Sequence, residues 1–462
     1  MTDLQTFAEQ FITSTRDYIF VRPEDRLVIM RPNKTHHLNA TACDLLQKLY
    51  AQDEVDTALV IAEVAADYEV APERVADDLR KLLDTLEGLL REDYSHATQV
   101  RYTPFGSHEI KYPVLSEIAL TYRCQHKCPF CYADAPGRGR KTAEMTIEQV
   151  LRVMDRIWHE ARVPTISFTG GEPTLREELP QFVAYAKGLG MRANLITNGV
   201  RCADEALADA LAAAGLDSAQ VSIEGATAEV HDAVTTTAGS FESAVQGIRN
   251  LKARGIHTHT NTTVCPQNVA EVERLPDLAA ELGNTYFSMN MVIRTGGAAG
   301  DGNEVGYTQI GDIVERIHAR AKALGLRMVW YSPLPYCLFN PISIGLGSSS
   351  CAAASGLLSV APDGQVLPCS SFETGLGNLI TEPFDTIWNR RAAKYWRDKE
   401  FLPPVCEGCD MSHLCCGACP LYWDEQHGFG ELPCGGDKHP LAELKWKLKR
   451  RLIGRLSGVN VR

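Results

Sequence analysis

The 462-residue chain contains no apolar run as long as the roughly 20 residues that a membrane-spanning helix requires. Its amino terminus, MTDLQTFAEQ, lacks the basic start and the apolar stretch of a signal peptide. Positive charge is not in excess, since the formal net charge is −12, and this argues against a protein that binds nucleic acid through its whole surface. These absences predict a cytoplasmic protein with no membrane partner and no nucleic-acid partner.

Cysteine, in contrast, is abundant. Fifteen cysteines in a reducing compartment are not expected to form disulfides, so we interpret them as metal ligands to be tested by their spacing. Three of them, Cys124, Cys128 and Cys131, occur in RCQHKCPFCYAD with the spacing C-x3-C-x2-C. Three thiolates leave one coordination position open, unless a distant residue completes the site as zinc would require.

Between residues 113 and 325, six short β-rich runs alternate with helical stretches, from VLSEIALTY to TYFSMNMVI. This order predicts an α/β fold with parallel strands and helical crossovers, as in a partial or complete TIM-type (β/α) barrel. Such barrels carry their chemistry at the carboxyl ends of the strands. The cysteine triplet directly follows the first strand, which is where a catalytic loop is expected.

Further segments flank the predicted barrel. Residues 1–95 combine two short strands with three amphipathic helices, which predicts a winged-helix-like domain. In residues 96–112 the apolar residues follow neither a helical nor a strand period, so this segment is interpreted as a linker. Residues 326–436 are rich in cysteine, glycine and proline, and a basic closing helix, interpreted as a solvated amphipathic face, is expected within 437–462.

The triplet, with Phe130 before its last cysteine, resembles the signature of radical S-adenosylmethionine enzymes. In that family three cysteines hold a [4Fe–4S] cluster, and the methionine amino and carboxylate groups chelate its fourth iron. One electron from the cluster cleaves the sulfonium and gives a 5′-deoxyadenosyl radical that abstracts hydrogen from the substrate. The resemblance implies an enzyme with Cys124, Cys128 and Cys131 as catalytic cluster ligands. A zinc site is the alternative.

The ends of the next predicted strands extend the resemblance. TGGEP is similar to the family's GGEP element, whose backbone and glutamate hold the methionine ammonium. ITNG and VSIEG end the following strands, and polar groups there are implied to contact the methionine carboxylate or the ribose. The implied cofactor contacts are Gly170, Gly171, Glu172, Pro173, Asn198, Ser222 and Glu224. No arginine follows His231-Asp232 closely, as one often does in relatives, so Arg294 is a candidate for the carboxylate.

Seven later cysteines are similar in spacing to the SPASM domain, which holds two auxiliary [4Fe–4S] clusters. The resemblance implies one cluster on Cys406, Cys409, Cys415 and Cys434, and another on Cys351, Cys369 and Cys419. Cys337 is either the fourth ligand of the second set or a buried thiol beside an open site. A double zinc ribbon is the alternative. Four cysteines match no motif position and are expected to be core thiols: Cys43, Cys202, Cys265 and Cys416.

The first segment resembles the PqqD-like recognition element found in pathways that modify ribosomally made peptides. The similarity lies in the short strands, the helix entry at Leu38–Ala42 and a terminal helix that ends in GLL. That domain binds the leader of a precursor peptide as an added strand at an exposed sheet edge. A plain winged-helix domain used for packing or dimerisation is the alternative.

Together the resemblances imply a peptide maturase that installs an oxidative cross-link, either a thioether or a carbon–carbon bond, in a precursor peptide. Hydrogen removal followed by bond formation is a two-electron oxidation, so an electron must leave, and an auxiliary cluster can accept it. A reductant such as flavodoxin or ferredoxin is a further expected partner. Two alternatives stay open. One is a related enzyme that acts on a tetrapyrrole carboxylate or on a sulfatase active-site residue, and the other is a ferredoxin-like electron carrier or peptide chaperone without catalysis.

Overall fold

The structure is a computed structural model, and it describes residues 2–91, 100–105, 107, 109–300, 302, 304–424, 429–433, 444–449 and 452. None of the helices in these ranges combines the length and the apolar character needed to cross a membrane. The described residues build an amino-terminal domain with its own hydrophobic core and a larger body in which one core runs through the barrel and the cysteine-rich segment.

The amino-terminal domain contains the predicted two strands and three helices, together with a helix and a strand that were not predicted. It begins with helix α1 (Thr2–Thr15). Three antiparallel strands follow: β1 (Ile19–Arg22), β2 (Leu27–Met30) and β3 (Lys34–Leu38). Three helices then pack on the sheet: α2 (Ala40–Tyr50), α3 (Thr57–Asp67) and α4 (Pro72–Leu90).

A fourth strand joins this sheet from the segment 96–112 that was predicted to be a linker. Strand β4 (Val100–Thr103) pairs antiparallel with β3 and completes the order β1-β2-β3-β4. Thr103 is its one buried side chain, so the sequence carries no hydrophobic alternation that could reveal the strand. The backbone ladder stabilises it, together with the Thr35 hydroxyl, which donates to the Thr103 carbonyl at 2.7 Å. The chain itself therefore occupies the outer edge of β3.

Parallel strands in chain order form the barrel wall: β5 (Leu115–Thr121), β6 (Thr165–Gly170), β7 (Arg192–Thr197), β8 (Ser218–Ser222), β9 (His257–Val264), β10 (Tyr286–Met291) and β11 (Arg327–Trp330). The six predicted strands are confirmed, and β11 is an additional one that follows residue 325. Within the described residues β11 pairs only with β10, and the other neighbour of β5 is a strand of the cysteine-rich segment. The barrel is therefore partial.

Helices alternate with these strands. Those that pack around the barrel are α6 (Ile147–His159), α7 (Leu179–Gly188), α8 (Glu205–Ala213), α10 (Ser240–Ala253), α11 (Leu275–Glu281) and α12 (Tyr307–Ala323). Two shorter helices, α5 (Ala135–Arg138) and α9 (Ala228–Thr235), lie in the loops that follow β5 and β8. Helix α6 illustrates how the sequence specifies them. Thr146 and Gln149 form a reciprocal capping box at its start. Val150, Val153 and Ile157 then recur at helical spacing and are fully buried against the sheet.

The cysteine-rich segment continues the barrel sheet. Strand β12 (Leu357–Val360) pairs parallel with β5, and β13 (Gln365–Leu367) and β14 (Gly377–Asn378) follow as antiparallel neighbours. The described part of the segment also contains four short helices: α13 (Phe384–Trp388), α14 (Arg391–Arg397), α15 (Ser412–Cys415) and α16 (Pro420–Asp424). Most of the predicted closing helix lies outside the described residues.

Arg22 fixes the amino-terminal domain against the barrel. Its guanidinium is fully buried and donates to both oxygens of the Asp25 carboxylate, at 2.8 and 2.9 Å. The other hydrogen bonds of this side chain go to the carbonyls of Tyr112, Pro113 and Arg162. These carbonyls lie just before β5 and β6, so the domain contacts the amino-terminal ends of the barrel strands.

Candidate active site at the carboxyl end of the barrel

The cysteine triplet begins three residues after β5 ends at Thr121. The thiol of Cys128 lies within electrostatic reach of Cys124, Cys131 and Glu224, so the loop gathers the three sulfurs that were predicted to act together. Burial raises the pKa of each thiol. Thiolates at this position therefore need a cationic partner, which is what a bound metal cluster provides.

Hydrogen-bond donors surround the first cysteine of the triplet. The backbone N–H of His126 donates to Cys124 Sγ at 3.4 Å, and Asn198 Nδ2 approaches the same sulfur at 3.7 Å. Asn198 was predicted as a cofactor contact, and the structure places it against Cys124. Donors of this kind stabilise a negatively charged sulfur and modulate the potential of an iron–sulfur cluster. Among the described residues, no three His, Cys, Asp or Glu side chains form a group close enough to hold a single metal ion.

Two glycines at the end of β6 press against the chain that leads into the triplet. Gly170 has φ +139°, and a Cβ atom there would lie 2.0 Å from the Thr121 carbonyl oxygen. A Cβ atom at Gly171 would lie 2.4 Å from the Arg123 carbonyl oxygen, and the Gly171 N–H donates to Thr121 at 2.8 Å. Only glycine permits this approach. The predicted GGEP element therefore shapes the backbone beside the cluster loop.

Glu172 joins the ends of two neighbouring strands. It is fully buried, and its Oε1 accepts hydrogen bonds from the Thr174 N–H and hydroxyl and from the Thr197 hydroxyl. Its Oε2 accepts from the Asn198 N–H at 2.8 Å. Pro173 starts the short 3₁₀ turn that holds Thr174 in place. The carboxylate thus orders the β6 and β7 ends, and its contact with a methionine ammonium stays a prediction.

Glu224 and His231 form the next side of the site. Burial raises the pKa of Glu224 to about 8, and its carboxylate accepts the Thr263 N–H at 2.9 Å, at the end of β9. The Glu224 N–H donates to His231 Nδ1 at 3.0 Å. Ser222, which ends β8, is half-buried. Arg294 forms a buried ion pair with Glu304, so its suggested role at the methionine carboxylate gains no support.

Two histidines near the triplet were not predicted as site residues. Burial lowers the pKa of both His126 and His231 to about 4, so both rings are neutral at pH 7. Within the part of the chain that the structure describes, the Nε2 atoms of both rings are buried without a hydrogen-bond partner. Buried polar atoms normally have partners, so these two fit a site that is completed by a polar cofactor. His126 lies inside the cysteine motif, which is the one sequence signal that could have identified it.

Glu117 is a second residue that the sequence analysis did not single out. It is a carboxylate in the middle of β5, where the sequence VLSEIALTY is otherwise nearly apolar. It accepts the Ser359 hydroxyl of β12 at 2.6 Å, and burial raises its pKa. Together with Tyr132, which directly follows the triplet, it lines a small enclosed cavity. The sequence signal that could have identified Glu117 is a single charged residue within an otherwise apolar strand.

The interior of the barrel is polar. On β10, Phe287, Met289 and Met291 belong to the main hydrophobic core, so Ser288 and Asn290 face the opposite side of the sheet, towards the barrel interior. TIM barrels usually fill this space with bulky aliphatic side chains. This barrel therefore departs from the usual packing.

Hydrogen bonds link these interior side chains between the neighbouring strands β9 and β10. Asn261 Nδ2 donates to Asn290 Oδ1 at 3.0 Å, and Asn290 Nδ2 donates to the Thr263 hydroxyl oxygen at 3.1 Å. The Ser288 hydroxyl donates to Asn261 Oδ1 at 2.9 Å. The lining thus presents neutral amide and hydroxyl groups, which can exchange hydrogen bonds with a polar ligand.

The auxiliary cysteines are grouped largely as their spacing predicts. Cys369 lies within electrostatic reach of Cys351 and Cys419, which are 7% and 9% exposed. Cys415 lies near Cys409 in the same way, and the Cys406 sulfur approaches the turn that follows Cys415. Two auxiliary sites are thus compatible with the structure, and their number stays a prediction.

Cys434 lies outside the described residues. Cys337 is exposed, which contradicts the buried-thiol alternative, while its role as a fourth ligand stays a prediction. The four cysteines outside the motifs are buried, as expected for core thiols: Cys43, Cys202, Cys265 and Cys416.

Three family models match parts of the chain. The radical SAM superfamily matches residues 118–279, an iron–sulfur cluster-binding domain (SPASM) matches residues 351–410, and coenzyme PQQ synthesis protein D matches residues 26–89. The three matches fall on the barrel, the cysteine-rich segment and the amino-terminal domain, respectively.

Individual relatives agree with these matches. A PqqA peptide cyclase of Ruegeria pomeroyi is 30% identical over 318 residues, which are 66% of this chain and 82% of that protein. An AdoMet-dependent heme synthase of Nitratidesulfovibrio vulgaris is 26% identical over 321 residues, which are 65% of this chain and 85% of that protein. The crystal structure of Streptococcus suis SuiB bound to the precursor peptide SuiA has a TM-score of 0.66 at 14% identity. That match covers 88% of this chain and 95% of that chain, and it shows a shared fold.

Proposed function

Because this chain belongs to the radical SAM superfamily and carries SPASM and PqqD domains, we propose that it is an enzyme that installs an oxidative cross-link in a ribosomally made precursor peptide. A [4Fe–4S] cluster with S-adenosylmethionine, bound at the triplet, supplies a 5′-deoxyadenosyl radical for hydrogen abstraction. Cys124, Cys128 and Cys131 would hold the cluster. Gly170 and Gly171 let the end of β6 pack directly against the backbone that leads into the triplet, and so position the cluster loop.

The polar barrel interior is the observation that supports a peptide substrate most directly. A peptide backbone offers a donor and an acceptor at every residue. The Asn261, Asn290 and Ser288 side chains can pair with such groups without introducing charge. A tetrapyrrole, in contrast, is a large apolar ring whose pocket should be mainly apolar and aromatic. The lining therefore favours a peptide over a tetrapyrrole carboxylate.

The amino-terminal domain also favours a peptide substrate, but the expected binding of the leader at a sheet edge has to be modified. An incoming leader strand needs a sheet edge; among the described strands the edges are β1 and β4, and β4 covers β3. Since Thr103 is the one buried side chain of β4, we expect the leader to displace this short strand and to pair with β3. The leader would then extend the sheet by main-chain hydrogen bonds, as β4 does now.

The two ends of the barrel set a minimum length for the substrate. The amino-terminal domain contacts the segments before β5 and β6, whereas the triplet follows the carboxyl end of β5. Strand β5 has 7 residues, and at about 3.3 Å per residue it spans roughly 23 Å. A docked leader should therefore be separated from the modified residue by at least about 7 extended residues.

The auxiliary cysteines would hold the clusters that accept the electron lost by the substrate and pass it on. Cys351 and Cys419 are nearly buried, whereas Cys409 is exposed. A cluster on Cys351, Cys369 and Cys419 would accept an electron close to the barrel, and a cluster on the set that contains Cys409 would lie nearer to an external protein. A flavodoxin or ferredoxin is the proposed reductant for the triplet cluster.

The test is anaerobic reconstitution followed by incubation with dithionite, S-adenosylmethionine and synthetic peptides encoded by short reading frames beside the gene. We expect release of 5′-deoxyadenosine and a peptide mass lower by two hydrogens. Cys128→Ala should abolish both, and Cys202→Ala, which alters a buried cysteine outside the motifs, should preserve both. Cofactor cleavage with unchanged peptides, together with turnover of a tetrapyrrole carboxylate, would show that the peptide assignment is wrong.

A further inference from the structure

A lysine is buried beside one set of auxiliary cysteines. Lys399 follows helix α14, has φ +56°, and is 7% exposed. Its Nζ donates to the Cys351 carbonyl at 2.6 Å and to the Ser355 hydroxyl oxygen at 3.0 Å. Both acceptors are neutral. The two hydrogen bonds fix the ammonium next to the backbone of a predicted cluster ligand.

No carboxylate in the described ranges compensates this charge by an ion pair within 4.0 Å. The neighbouring Glu400 forms ion pairs with Arg391 and Lys449 instead, and Asp398 is exposed. A buried ammonium without a counter-charge is strongly unfavourable, so a negative group is expected in the same place. Cys351, whose carbonyl accepts from Lys399, belongs with Cys369 and Cys419 to a set of cysteines that would carry negative charge when it binds a cluster.

We propose that Lys399 is a positioning residue whose fixed positive charge offsets the negative charge of the cluster held by Cys351, Cys369 and Cys419 and raises the reduction potential of that cluster. The inference rests on the proposed function, since it requires an auxiliary cluster. An iron–sulfur cluster with thiolate ligands is anionic, and its reduction adds one more negative charge. A cation fixed nearby in a poorly solvated site therefore stabilises the reduced form more than the oxidised form.

A raised potential suits the expected chemistry. When a substrate carbon radical forms a bond to a thiol sulfur, the S–H bond breaks, the proton leaves to solvent and one electron must be accepted. Lys399 would make the adjacent cluster a better acceptor for that electron.

The experiment is a redox titration of the reconstituted full-length protein, followed by electron paramagnetic resonance. Lys399→Met and Lys399→Gln should each lower the midpoint potential of one auxiliary cluster. The expected change is at least tenfold in the one-electron reduction equilibrium, which is about 59 mV. Lys399→Arg retains the charge and should shift the potential by less. Lys394→Met is the matched control, because Lys394 is an exposed lysine on helix α14.

The possible outcomes separate the inference from the proposed function. Loss of this cluster's iron from the Met and Gln variants, with retention in the Arg variant, would also support a charge role. Unchanged potentials, an upward shift, or an equal shift in Lys394→Met would overturn it, as would iron loss from all three Lys399 variants. A wild-type protein that carries no auxiliary cluster would instead contradict the proposed function.

Discussion

Substitution of Arg22 by methionine should release the amino-terminal domain from the barrel. The substitution removes five hydrogen bonds, three of which join the domain to carbonyls before β5 and β6. It also leaves the Asp25 carboxylate, which is 5% exposed, without its cationic partner. Removal of one partner from a buried ion pair costs about 3–5 kcal/mol. A loss of this size at one contact should be enough to separate the two cores.

The assays are calorimetry and hydrogen exchange. In Arg22→Met we expect a separate unfolding transition for the amino-terminal domain and faster exchange of the amides in Ile19–Met30. Release of 5′-deoxyadenosine should continue, because the triplet lies at the opposite end of the barrel. Peptide cross-linking should fall, because the leader would no longer be tethered near the barrel.

Two further variants test the reasoning behind this expectation. Addition of Asp25→Asn to Arg22→Met removes the orphaned carboxylate and should recover about 1–3 kcal/mol. Arg16→Met is the control, because Arg16 donates to the carbonyls of Tyr50 and Gln52 within its own domain. A single cooperative transition and unchanged exchange in Arg22→Met would refute the role assigned to this arginine.

Three other predictions concern single positions. Gly170→Ala places a Cβ atom 2.0 Å from the Thr121 carbonyl oxygen, so it should destabilise the protein by roughly 3 kcal/mol or more and abolish 5′-deoxyadenosine release; wild-type melting and release would contradict this. Burial lowers the pKa of His36 from 6.5 to about 4, so the unfolded chain takes up a proton first as pH falls. The free energy of unfolding of the amino-terminal domain should therefore decrease as the pH falls from 6.5 to about 4. In His36→Gln the melting temperature should no longer depend on pH through this group. Tyr102→Pro should weaken the β3–β4 ladder and increase the affinity for a labelled leader peptide at least threefold, whereas unchanged or weaker binding would exclude displacement of β4.

The barrel strands and the cysteine motifs were predictable because their signals are local. Each barrel strand is a short apolar run between helical stretches, and the triplet and GGEP directly follow two of those strands. The β3, β4 and β11 strands were not predicted, since runs of four or five residues are too short to establish a hydrophobic period. Helix α1 was missed as well, although its amphipathic pattern is present in the sequence.

Contacts between residues that are far apart in the chain could not be predicted from the sequence, for a different reason. Arg22 meets the carbonyl of Arg162, and Lys399 meets the carbonyl of Cys351, across long separations in the chain. Neither residue lies in a motif, and a single arginine or lysine is usually a solvated surface residue. Their burial follows from the packing of complete domains, which spacing rules do not describe.

The ladder between β12 and β5 has a consequence for electron movement. Leu357 to Val360 pair residue by residue with Leu115 to Ile118, so one sheet supports the strand that leads into the triplet and the strand between Cys351 and Cys369. The two cysteine-bearing regions are thus attached to neighbouring strands of the same sheet. Electron tunnelling depends steeply on distance. In this arrangement the distance between a cluster on the triplet and a cluster on Cys351 and Cys369 would be set by the paired backbones of β5 and β12, whatever conformation the bound substrate adopts.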